Sequence, residues 1–500
     1  MLPHLQTLLT PQHKYRSPKE KMGVTGNGNG NGNGARKTKL HVVMFPWFAF
    51  GHINPFIQLS NKLTSYGIQI SFFSIPGNIP RIKSSLNLSP PNQIIPLAVP
   101  PIEGLSPNVD SSSFLPPQIY GLLSQALDQM QPQVKTLLTQ LQPDIVLFDF
   151  VQHWLPPLAS ELGIKSANFS VFSAVANSYL VVPSRMPDPN QPPTIEDLKK
   201  PPPGFPETSV TGVRTFQAQD FMFLFKGSNG GPPAFERTMG YIKTCDAVIY
   251  KSCVEFEGPY IDYLKTQWGK PLLLAGPTVP MPPSGILEAK WAKWLDNFLE
   301  TSVIFCNFGS ETYLDGAQVE ELAIGLELTG LPFFLVLNFG IGGDAAEAKL
   351  EASLPKGFRD RVKDRGVVHT GWVQQQHILA HKSVGCYLNH SGFSSVIEAL
   401  VNDCQLILIP QKGDQYMNSK LLSGDLKVGV EVNRRDEDGY FGKEDILKAV
   451  QTVMLDIDKE PGKSIRAHHK KWKEFLLKKD IEDKYIANLV RELEALAHEA

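Results

Sequence analysis

The chain has 500 residues, of which 42% are hydrophobic and 20% are charged, and its formal net charge at pH 7 is −2. A chain of this length is too long for one ordinary hydrophobic core, which predicts two domains. A charge near zero gives no electrostatic footprint for nucleic acid or an anionic membrane, and no apolar run of about 18 residues is present to insert into a bilayer. We therefore expect neither nucleic acid nor a membrane as partner.

The N-terminal segment, residues 1–38, contains the alternation NGNGNGNG and few apolar residues. This composition predicts a disordered tail without a function of its own. The segment has no apolar stretch typical of a secretory signal, and the five cysteines are scattered without a CxxC pair; both features favour a reduced, cytoplasmic location. Met1 and Met22 both stay open as the start of translation.

Further along the chain, short apolar runs alternate with amphipathic segments. The predicted strands of the first half cover 40–45, 68–74, 145–148 and 247–250, with helices at 53–64 and 155–162. The predicted strands of the second half cover 303–307, 333–337, 367–369, 385–388 and 406–409, with helices at 317–329 and 395–401. Strands that alternate with helices predict an α/β protein made of two doubly wound halves.

A Pro/Gly-rich stretch at 276–285 has no periodicity and is typical of an interdomain linker. We therefore predict an N-terminal domain at 39–275, a linker at 276–290, a second domain at 291–463 and amphipathic C-terminal helices at 464–500. Three smaller features are predicted to be exposed to solvent, namely a long Pro-rich loop at 185–206, an acidic turn at 436–439 and the His468-His469 pair.

The most informative stretch runs from Trp372 to Gln415 and reads WVQQQHILAHKSVGCYLNHSGFSSVIEALVNDCQLILIPQKGDQ. An apolar strand ends at His390, a turn of small residues follows, and VIEALV continues as a helix. Such a turn directs backbone N–H groups and the positive end of a helix dipole at one point, which suits a diphosphate. Glu398 lies about one helical turn beyond Ser394, so that its carboxylate can reach a ribose diol.

This stretch resembles the plant secondary product glycosyltransferase signature, the donor-binding motif of plant UDP-dependent glycosyltransferases. The resemblance implies that Trp372 stacks on uracil, that Gln375 and Glu398 hold the ribose, that His390, Ser394 and Ser395 contact the phosphates, and that Asp414 and Gln415 bind the sugar hydroxyls. Ser310, Val373, Gly392 and Phe393 complete the implied donor site. The family usually reads HCGWNS where this chain reads HSGFSS, so Phe393 replaces a Trp and Ser394 replaces an Asn.

His52 lies in PWFAFGHINPF, between the first predicted strand and the first helix. The helix dipole at that position favours a neutral imidazole, which can act as a base, although a histidine that only caps the helix fits the position equally well. Asp149 ends the strand VLFD at the same sheet edge and can hold the imidazole through one nitrogen. The family's usual dyad matches both positions, and we predict His52 and Asp149 as the catalytic pair.

The resemblance extends over nearly the whole chain after residue 38 and implies the GT-B architecture, in which two Rossmann-like domains face each other across a cleft and the last helix returns to the first domain. It further implies an inverting transfer in a monomer, with His52 as base and UDP as leaving group. Ser310 would help to stabilise that leaving group. The UDP-sugar is then a co-substrate, and neither a metal nor another cofactor is expected.

Two other functions were considered. A dehydrogenase is disfavoured because no GxGxxG follows a strand and no P-loop is present. A non-catalytic nucleotide-sugar-binding protein stays open. Within the family, the segments MFPWFAFGHINPFIQLSNKL and EVNRRDEDGYFGKEDI resemble anthocyanidin 3-O-glucoside rhamnosyltransferases and other sugar-extending enzymes. This implies transfer of rhamnose from UDP-rhamnose to a phenolic glycoside, such as a flavonoid or anthocyanidin 3-O-glucoside or a phenylethanoid glucoside. The donor motif itself equally allows UDP-glucose or UDP-xylose.

Overall fold

Two parallel β-sheets, one built from residues 41–274 and the other from residues 303–431, organise the protein. The structure is a computed structural model, and it describes residues 40–105, 120–227, 231–283 and 285–498. The predicted tail at 1–38 lies outside the described residues. Lys39–Ala500 forms one compact unit that contains both sheets.

The first sheet has the strand order β3-β2-β1-β4-β5-β6-β7, with every neighbouring pair parallel. Its strands are β1 His41–Phe45, β2 Gln69–Ser74, β3 Gln93–Pro96, β4 Ile145–Phe148, β5 Lys165–Ser170, β6 Ala247–Tyr250 and β7 Leu272–Leu274. The chain winds outward from β1 in one direction and then returns to place β4 on the other side of β1. The carboxyl ends of β1 and β4 therefore form a topological switch point, where doubly wound proteins bind ligands.

The second sheet repeats this winding with the order β10-β9-β8-β11-β12-β13, again parallel throughout. Its strands are β8 Val303–Asn307, β9 Phe333–Leu337, β10 Gly366–Thr370, β11 Val384–Asn389, β12 Gln405–Leu408 and β13 Gly429–Glu431. The switch point of this sheet lies at the carboxyl ends of β8 and β11. The prediction of two doubly wound halves is confirmed.

Helices connect the strands and cover the sheets. Those up to residue 268 are α1 Phe50–Ser65, α2 Ile79–Lys83, α3 Tyr120–Asp128, α4 Gln131–Leu141, α5 Leu155–Glu161, α6 Ala174–Leu180, α7 Ile195–Leu198, α8 Thr215–Phe221, α9 Ala234–Thr244 and α10 Val254–Trp268. The later helices are α11 Ala289–Leu295, α12 Gly316–Leu328, α13 Gly343–Ser353, α14 Phe358–Val362, α15 Gln375–Leu379, α16 Phe393–Val401, α17 Asp414–Lys420, α18 Lys443–Val450, α19 Gly462–Leu476 and α20 Lys479–His498.

The central strands of the first sheet are buried on both faces, which is why they read as continuous apolar runs. In β1, Val43 and Phe45 belong to one hydrophobic cluster, whereas Val42 and Met44 belong to a second cluster on the opposite face. Neighbouring side chains of a strand point to opposite faces, so one strand contributes to both cores. The predicted strands at 145–148, 247–250, 303–307 and 333–337 have these same bounds in the structure.

Four strands of the structure were not predicted from the sequence, namely β3, β5, β7 and β13. The strand β5 reads KSANFS and yet five of its six residues are buried. Its polar side chains are paired, because Asn168 donates to the carbonyl of Phe148 at 3.2 Å and the Ser166 hydroxyl donates to Asp246 at 3.3 Å. Such pairing allows a polar sequence to occupy the middle of a sheet, where hydrophobic periodicity cannot reveal it.

The Pro-rich stretch at 185–206 lies mostly at the surface, as the composition predicts, but it is not irregular throughout. It contains α7, which begins with a capping box between Thr194 and Asp197. Arg185 is buried, and its guanidinium donates to the carbonyl oxygens of Tyr179, Asp197 and Lys200 at 2.7 to 2.9 Å. A buried arginine requires such partners, and they hold this stretch against the first half.

The prediction that the His468-His469 pair is exposed to solvent was wrong for His469. His469 is buried where α19 packs on α16, with Nε2 at 3.1 Å from the carbonyl oxygen of Cys404. The three acidic residues of the turn at 436–439 are exposed, as predicted. Asp436 nevertheless accepts hydrogen bonds from the backbone and the hydroxyl of Thr215, at 3.2 and 2.5 Å. That turn therefore joins the first turn of α8, a helix of the first half, to the second half.

The last helix, α20, packs on the first half rather than on the second. Its apolar residues belong to the hydrophobic cluster that contains Val42 and Met44 of β1 and the side chains on the same face of β2 and β4. These residues of α20 are Ile486, Leu489, Val490, Leu493 and Leu496. Glu482 forms an ion pair with Lys62 of α1 at 2.5 Å. The domain boundaries at 275, 290 and 463 stay a prediction.

All five cysteines are free and buried. No helix in the described part of the chain combines the length and apolar character that crossing a membrane requires.

Candidate active site

The switch points of the two sheets lie on either side of a cleft, and side chains of one half bind groups of the other across it. Ser173 at the start of α6 donates to Asn418 of α17 at 2.6 Å, and Lys251 after β6 donates to Ser394 of α16 at 2.7 Å. Asp220 of α8 accepts the backbone N–H of Gly413 at 2.8 Å. These contacts bring the predicted base and the predicted donor residues into one region.

His52 and Asp149 form a hydrogen-bonded pair at the first switch point. His52 Nδ1 lies 2.8 Å from Asp149 Oδ2, and the carboxylate also accepts the backbone N–H groups of Trp47 at 3.0 Å and Phe150 at 2.8 Å. Asp149 is only 1% exposed. Three donors, two from loops and one from the first turn of α1, thus fix the carboxylate, and the carboxylate fixes the imidazole with Nε2 directed away from it.

Two aromatic rings and several carboxylates surround the imidazole of His52. The rings of Phe150 and Phe172 lie 5.2 and 5.5 Å from the imidazole. Burial alone would lower the pKa of His52, but the charge and hydrogen bond of Asp149, together with the charges of Glu311 and Asp414, raise that pKa above its usual value. The direction of this pKa shift is opposite to the effect expected of the helix dipole, because the paired carboxylate favours the charged imidazole.

At the second switch point, the turn between β11 and α16 holds His390 in a narrow slot. A side chain at Gly309 would place its Cβ 2.9 Å from His390 Cε1, and one at Gly392 would place it 2.6 Å from Nε2. Ser391 adopts a positive φ of 66°, and its N–H donates to Asn389 Oδ1 at 2.7 Å. Burial and the charge of Lys412 lower the pKa of His390 to about 4, so this imidazole is neutral at pH 7.

The first turn of α16 carries Phe393, Ser394 and Ser395. The two serines are partly exposed and stand among the unpaired N–H groups of the helix N-terminus, whereas Phe393 is buried in the core. Ser310, on the loop after β8, is exposed. The turn thus brings Ser394 and Ser395 close to His390, where an anion would gain from the helix dipole.

The predicted ribose-binding residues bind one another. Gln375 donates to Glu398 Oε2 at 2.7 Å and Gln376 donates to Oε1 at 3.0 Å. Gln375 also accepts a hydrogen bond from Asn307 at 2.8 Å, at the end of β8. Nearby, the side chain of Trp372 is 67% exposed while Val373 is buried. An exposed indole at the rim of a polar pocket offers a free face for stacking.

The predicted sugar-binding pair lies at the start of α17. Asp414 accepts a hydrogen bond from Asn418 at 2.9 Å, and its charge contributes to the pKa of His52, which places it close to the predicted base. Gln415 is buried; its Oε1 accepts the N–H groups of Gln411 and Lys412 at 3.0 and 3.2 Å. Gln415 thus stabilises the loop that leads to Asp414.

Sequence reasoning missed three charged residues of this region, namely Lys251, Asp220 and Lys412. Lys412 donates to the carbonyl oxygen of Glu311 at 2.7 Å and joins the two loops on either side of His390. One signal was available for Lys251, since a cation directly after the apolar strand AVIY lies at the carboxyl edge of a parallel sheet. In the part of the chain that the structure describes, no cluster of three or more His, Cys, Asp or Glu side chains is arranged to hold a metal ion.

The two facing doubly wound sheets define the GT-B fold. A UDP-glucosyltransferase from Polygonum tinctorium capable of glucosylating indoxyl shares this fold with a TM-score of 0.72 at 23% identity, over 92% of this chain and 100% of that one. The family model described as UDP-glucoronosyl and UDP-glucosyl transferase matches residues 358–471.

Two curated relatives match over most of their length. The anthocyanidin-3-O-glucoside rhamnosyltransferase of Petunia hybrida is 58% identical over 92% of this chain and 97% of its own. The cyanidin 3-O-galactoside 2''-O-xylosyltransferase of Actinidia chinensis var. chinensis is 43% identical over 91% and 98%. The chain therefore belongs to the UDP-glycosyltransferase family.

Proposed function

We propose that this protein transfers a sugar from a UDP-sugar to a hydroxyl on the sugar of a phenolic glycoside, with inversion at the anomeric carbon. The observation that carries the proposal is the His52–Asp149 pair at one switch point, facing the small-residue turn of α16 at the other. Asp414, at the start of α17, is close enough for its charge to act on His52. A base and a nucleotide-sugar pocket on opposite walls of one cleft are the parts that such a displacement needs.

In this mechanism, His52 Nε2 takes the proton of the acceptor hydroxyl while the oxygen forms a bond to the anomeric carbon. The bond between that carbon and the β-phosphate oxygen breaks, and its electron pair leaves with UDP. Asp149 holds the ring through Nδ1 and stabilises the imidazolium that forms. Because the ring is already fixed by a buried carboxylate, little reorganisation is needed at the moment of proton transfer.

The donor binds at the second switch point. Trp372 and Val373 would form the uracil site, Gln375 and Glu398 would hold the ribose, and the turn with Gly392 would bind the diphosphate through His390, Ser394, Ser395 and Ser310. Asp414 would take sugar hydroxyls, with Gln415 holding its loop. Since Gln375 and Gln376 already hold Glu398 by both oxygens, the ribose would meet a carboxylate of fixed orientation.

For the acceptor and the donor sugar, we favour a flavonoid or anthocyanidin 3-O-glucoside, or another phenolic glucoside such as a phenylethanoid, and UDP-rhamnose. The Petunia relative supports rhamnose, whereas the Actinidia relative is named for xylose. UDP-glucose and UDP-xylose are thus the alternatives. Phe393 is buried, so the replacement of the family's usual Trp supports no particular sugar through direct contact.

We further propose that the enzyme works in the cytoplasm as a monomer and needs no cofactor. Asn389 of the glycan acceptor sequence Asn389-His390-Ser391 is fully buried, and its amide nitrogen donates to the Tyr387 carbonyl at 3.1 Å. A glycan on this side chain would be incompatible with the folded protein, because the side chain is enclosed. This observation and the five free cysteines support a compartment without glycosylation.

The test is a competition assay with equal UDP-rhamnose, UDP-glucose and UDP-xylose and one flavonoid 3-O-monoglucoside, repeated with the free aglycone. We expect a rhamnosylated glucoside and at least about 100-fold lower use of the aglycone, because a pocket that hydrogen-bonds a sugar leaves polar groups unpaired without it. A main product carrying glucose or xylose contradicts the donor assignment. Absence of UDP release with every donor and acceptor favours the non-catalytic alternative.

A further inference from the structure

The diphosphate site contains less positive charge on its own half than its ligand requires. His390 is neutral at pH 7 because burial lowers its pKa to about 4. Ser394, Ser395 and Ser310 are uncharged, and the helix N-terminus supplies only about half a unit charge. Lys412 is the cation of this half whose charge acts on His390, and its ammonium donates to the carbonyl oxygen of Glu311. The diphosphate is doubly charged while it is bound and gains a further negative charge as the sugar leaves.

A buried lysine of the other half reaches this position. Lys251 follows β6 at the carboxyl edge of the first sheet, is only 2% exposed and donates from Nζ to Ser394 Oγ at 2.7 Å. An ammonium has three N–H donors, and among the described residues this is its one hydrogen bond. Burying a cation with so few partners is costly, which indicates that a further anionic partner belongs at this site.

Glu398, whose charge acts on Lys251, is not this further anionic partner. Burial lowers the pKa of Lys251 to about 8, and the charge of Glu398 acts in the opposite direction. Lys251 therefore still carries its proton at pH 7. The carboxylate of Glu398 is already held by the amides of Gln375 and Gln376, on both oxygens.

We infer that Lys251 adds positive charge to the diphosphate site from the other half and acts on the phosphate through the hydroxyl of Ser394. Because Ser394 Oγ accepts a hydrogen bond from the ammonium, its own proton is free to donate away from Lys251, toward the phosphate oxygens. The neighbouring charge makes that hydroxyl a stronger donor. Lys251 is thus a positioning residue from the acceptor-side half, and it compensates for the shorter serine where the family usually has Asn. This inference rests on the proposed function.

The decisive measurement compares the affinities of UDP and uridine, since only UDP carries the diphosphate. Lys251→Met should weaken UDP binding by about 10- to 100-fold, as expected for a charge-assisted hydrogen bond, and leave uridine binding within about twofold. Lys251→Arg, which keeps the charge, should recover most of the UDP affinity. Lys165→Met, which removes a lysine at the amino end of β5, is the matched control and should change neither affinity.

A second variant separates a role in binding from a role in holding the halves together. Ser394→Ala should also weaken UDP more than uridine, and combining it with Lys251→Met should cost no more than the larger single effect, because both act through one hydroxyl. If Lys251→Met does not fold, Ser394→Ala by itself still tests the inference through the affinities for UDP and uridine.

The inference is overturned if Lys251→Met and Ser394→Ala leave UDP affinity unchanged, weaken uridine equally or act independently. Wild-type protein that binds UDP but transfers no sugar overturns the proposed function alone, whereas wild-type protein that binds no UDP overturns both.

Discussion

The two switch points have the same strand topology, but different kinds of contact hold their side chains in place. At the first, His52 and Asp149 are fixed by groups of their own half, namely the backbone N–H groups of Trp47 and Phe150. At the second, groups of the other half take part, since Ser394 bonds to Lys251, Asn418 to Ser173 and Gly413 to Asp220. The base is therefore assembled within one half, whereas the donor pocket is complete only while the halves are together.

This difference teaches that one strand order can serve two functions with opposite requirements. A base needs one ring held in one orientation, and a buried carboxylate with three donors provides it. A nucleotide sugar has to enter and leave, and a pocket partly built by the opposite half can bind tightly when the halves meet and release when they part. Substitutions on the two sides should accordingly have different kinetic signatures.

The largest effect is expected for His52→Ala. Transfer should be abolished because the proposed base that takes the acceptor proton is lost, while UDP affinity should stay within about twofold of wild type. Product formation and UDP binding measured on the same preparation check this. His41→Ala, at the amino end of β1, serves as control, and near wild-type turnover of His52→Ala would refute the assignment of the base.

Asp149→Asn should reduce kcat/KM by roughly 100-fold or more through loss of the ring orientation. It should also change the pH profile. His52 acts as a base only when it is unprotonated, and its pKa is raised, so the acidic limb of wild-type kcat/KM should lie above pH 6.5. Removing the Asp149 charge should move that limb to lower pH, and a limb that does not move would show that another group sets it.

A smaller effect is expected on the donor side for Asp220→Asn. The carboxylate of Asp220 accepts the N–H of Gly413, next to Asp414. Weakening this hydrogen bond should loosen the sugar-binding loop and raise the KM for the donor about 3- to 10-fold, which corresponds to the free energy of one ordinary hydrogen bond. The KM for the acceptor should change less. Asp262→Asn, at a surface ion pair of α10, is a suitable control. Equal changes in both KM values would show that Asp220 only joins the halves.

The smallest effect is expected from removing residues 1–38, whose composition cannot contribute to a core. Activity and Tm should stay the same within error in a thermal unfolding and turnover comparison, and addition of EDTA should also leave turnover unchanged. A lower Tm after truncation would show that this segment packs. Activity that EDTA abolishes and a divalent ion restores would contradict a metal-independent mechanism.

Much of this architecture could be predicted from the sequence, because central parallel strands such as β4 and β8 are uninterrupted apolar runs. The donor turn was equally visible, since its small residues and following helix are contiguous in the chain. By contrast, β5 is hidden because its polar side chains are satisfied by partners far away in sequence. Lys251 and Asp220 could not be predicted for the same reason, because their partners Ser394 and Gly413 lie 143 and 193 residues further along the chain.

The position of α20 has a consequence for the order in which the protein is made. The face of the first sheet that Leu489 and Leu493 cover is encoded almost entirely by the first part of the message, and its cover by the last. A ribosome therefore completes the whole second half before the first half can bury that face. During this interval the nascent chain exposes apolar side chains of β7 and α1 that α20 later covers. Such exposure invites aggregation and gives chaperones a defined period of action. A stop codon close to the end would make this exposure permanent.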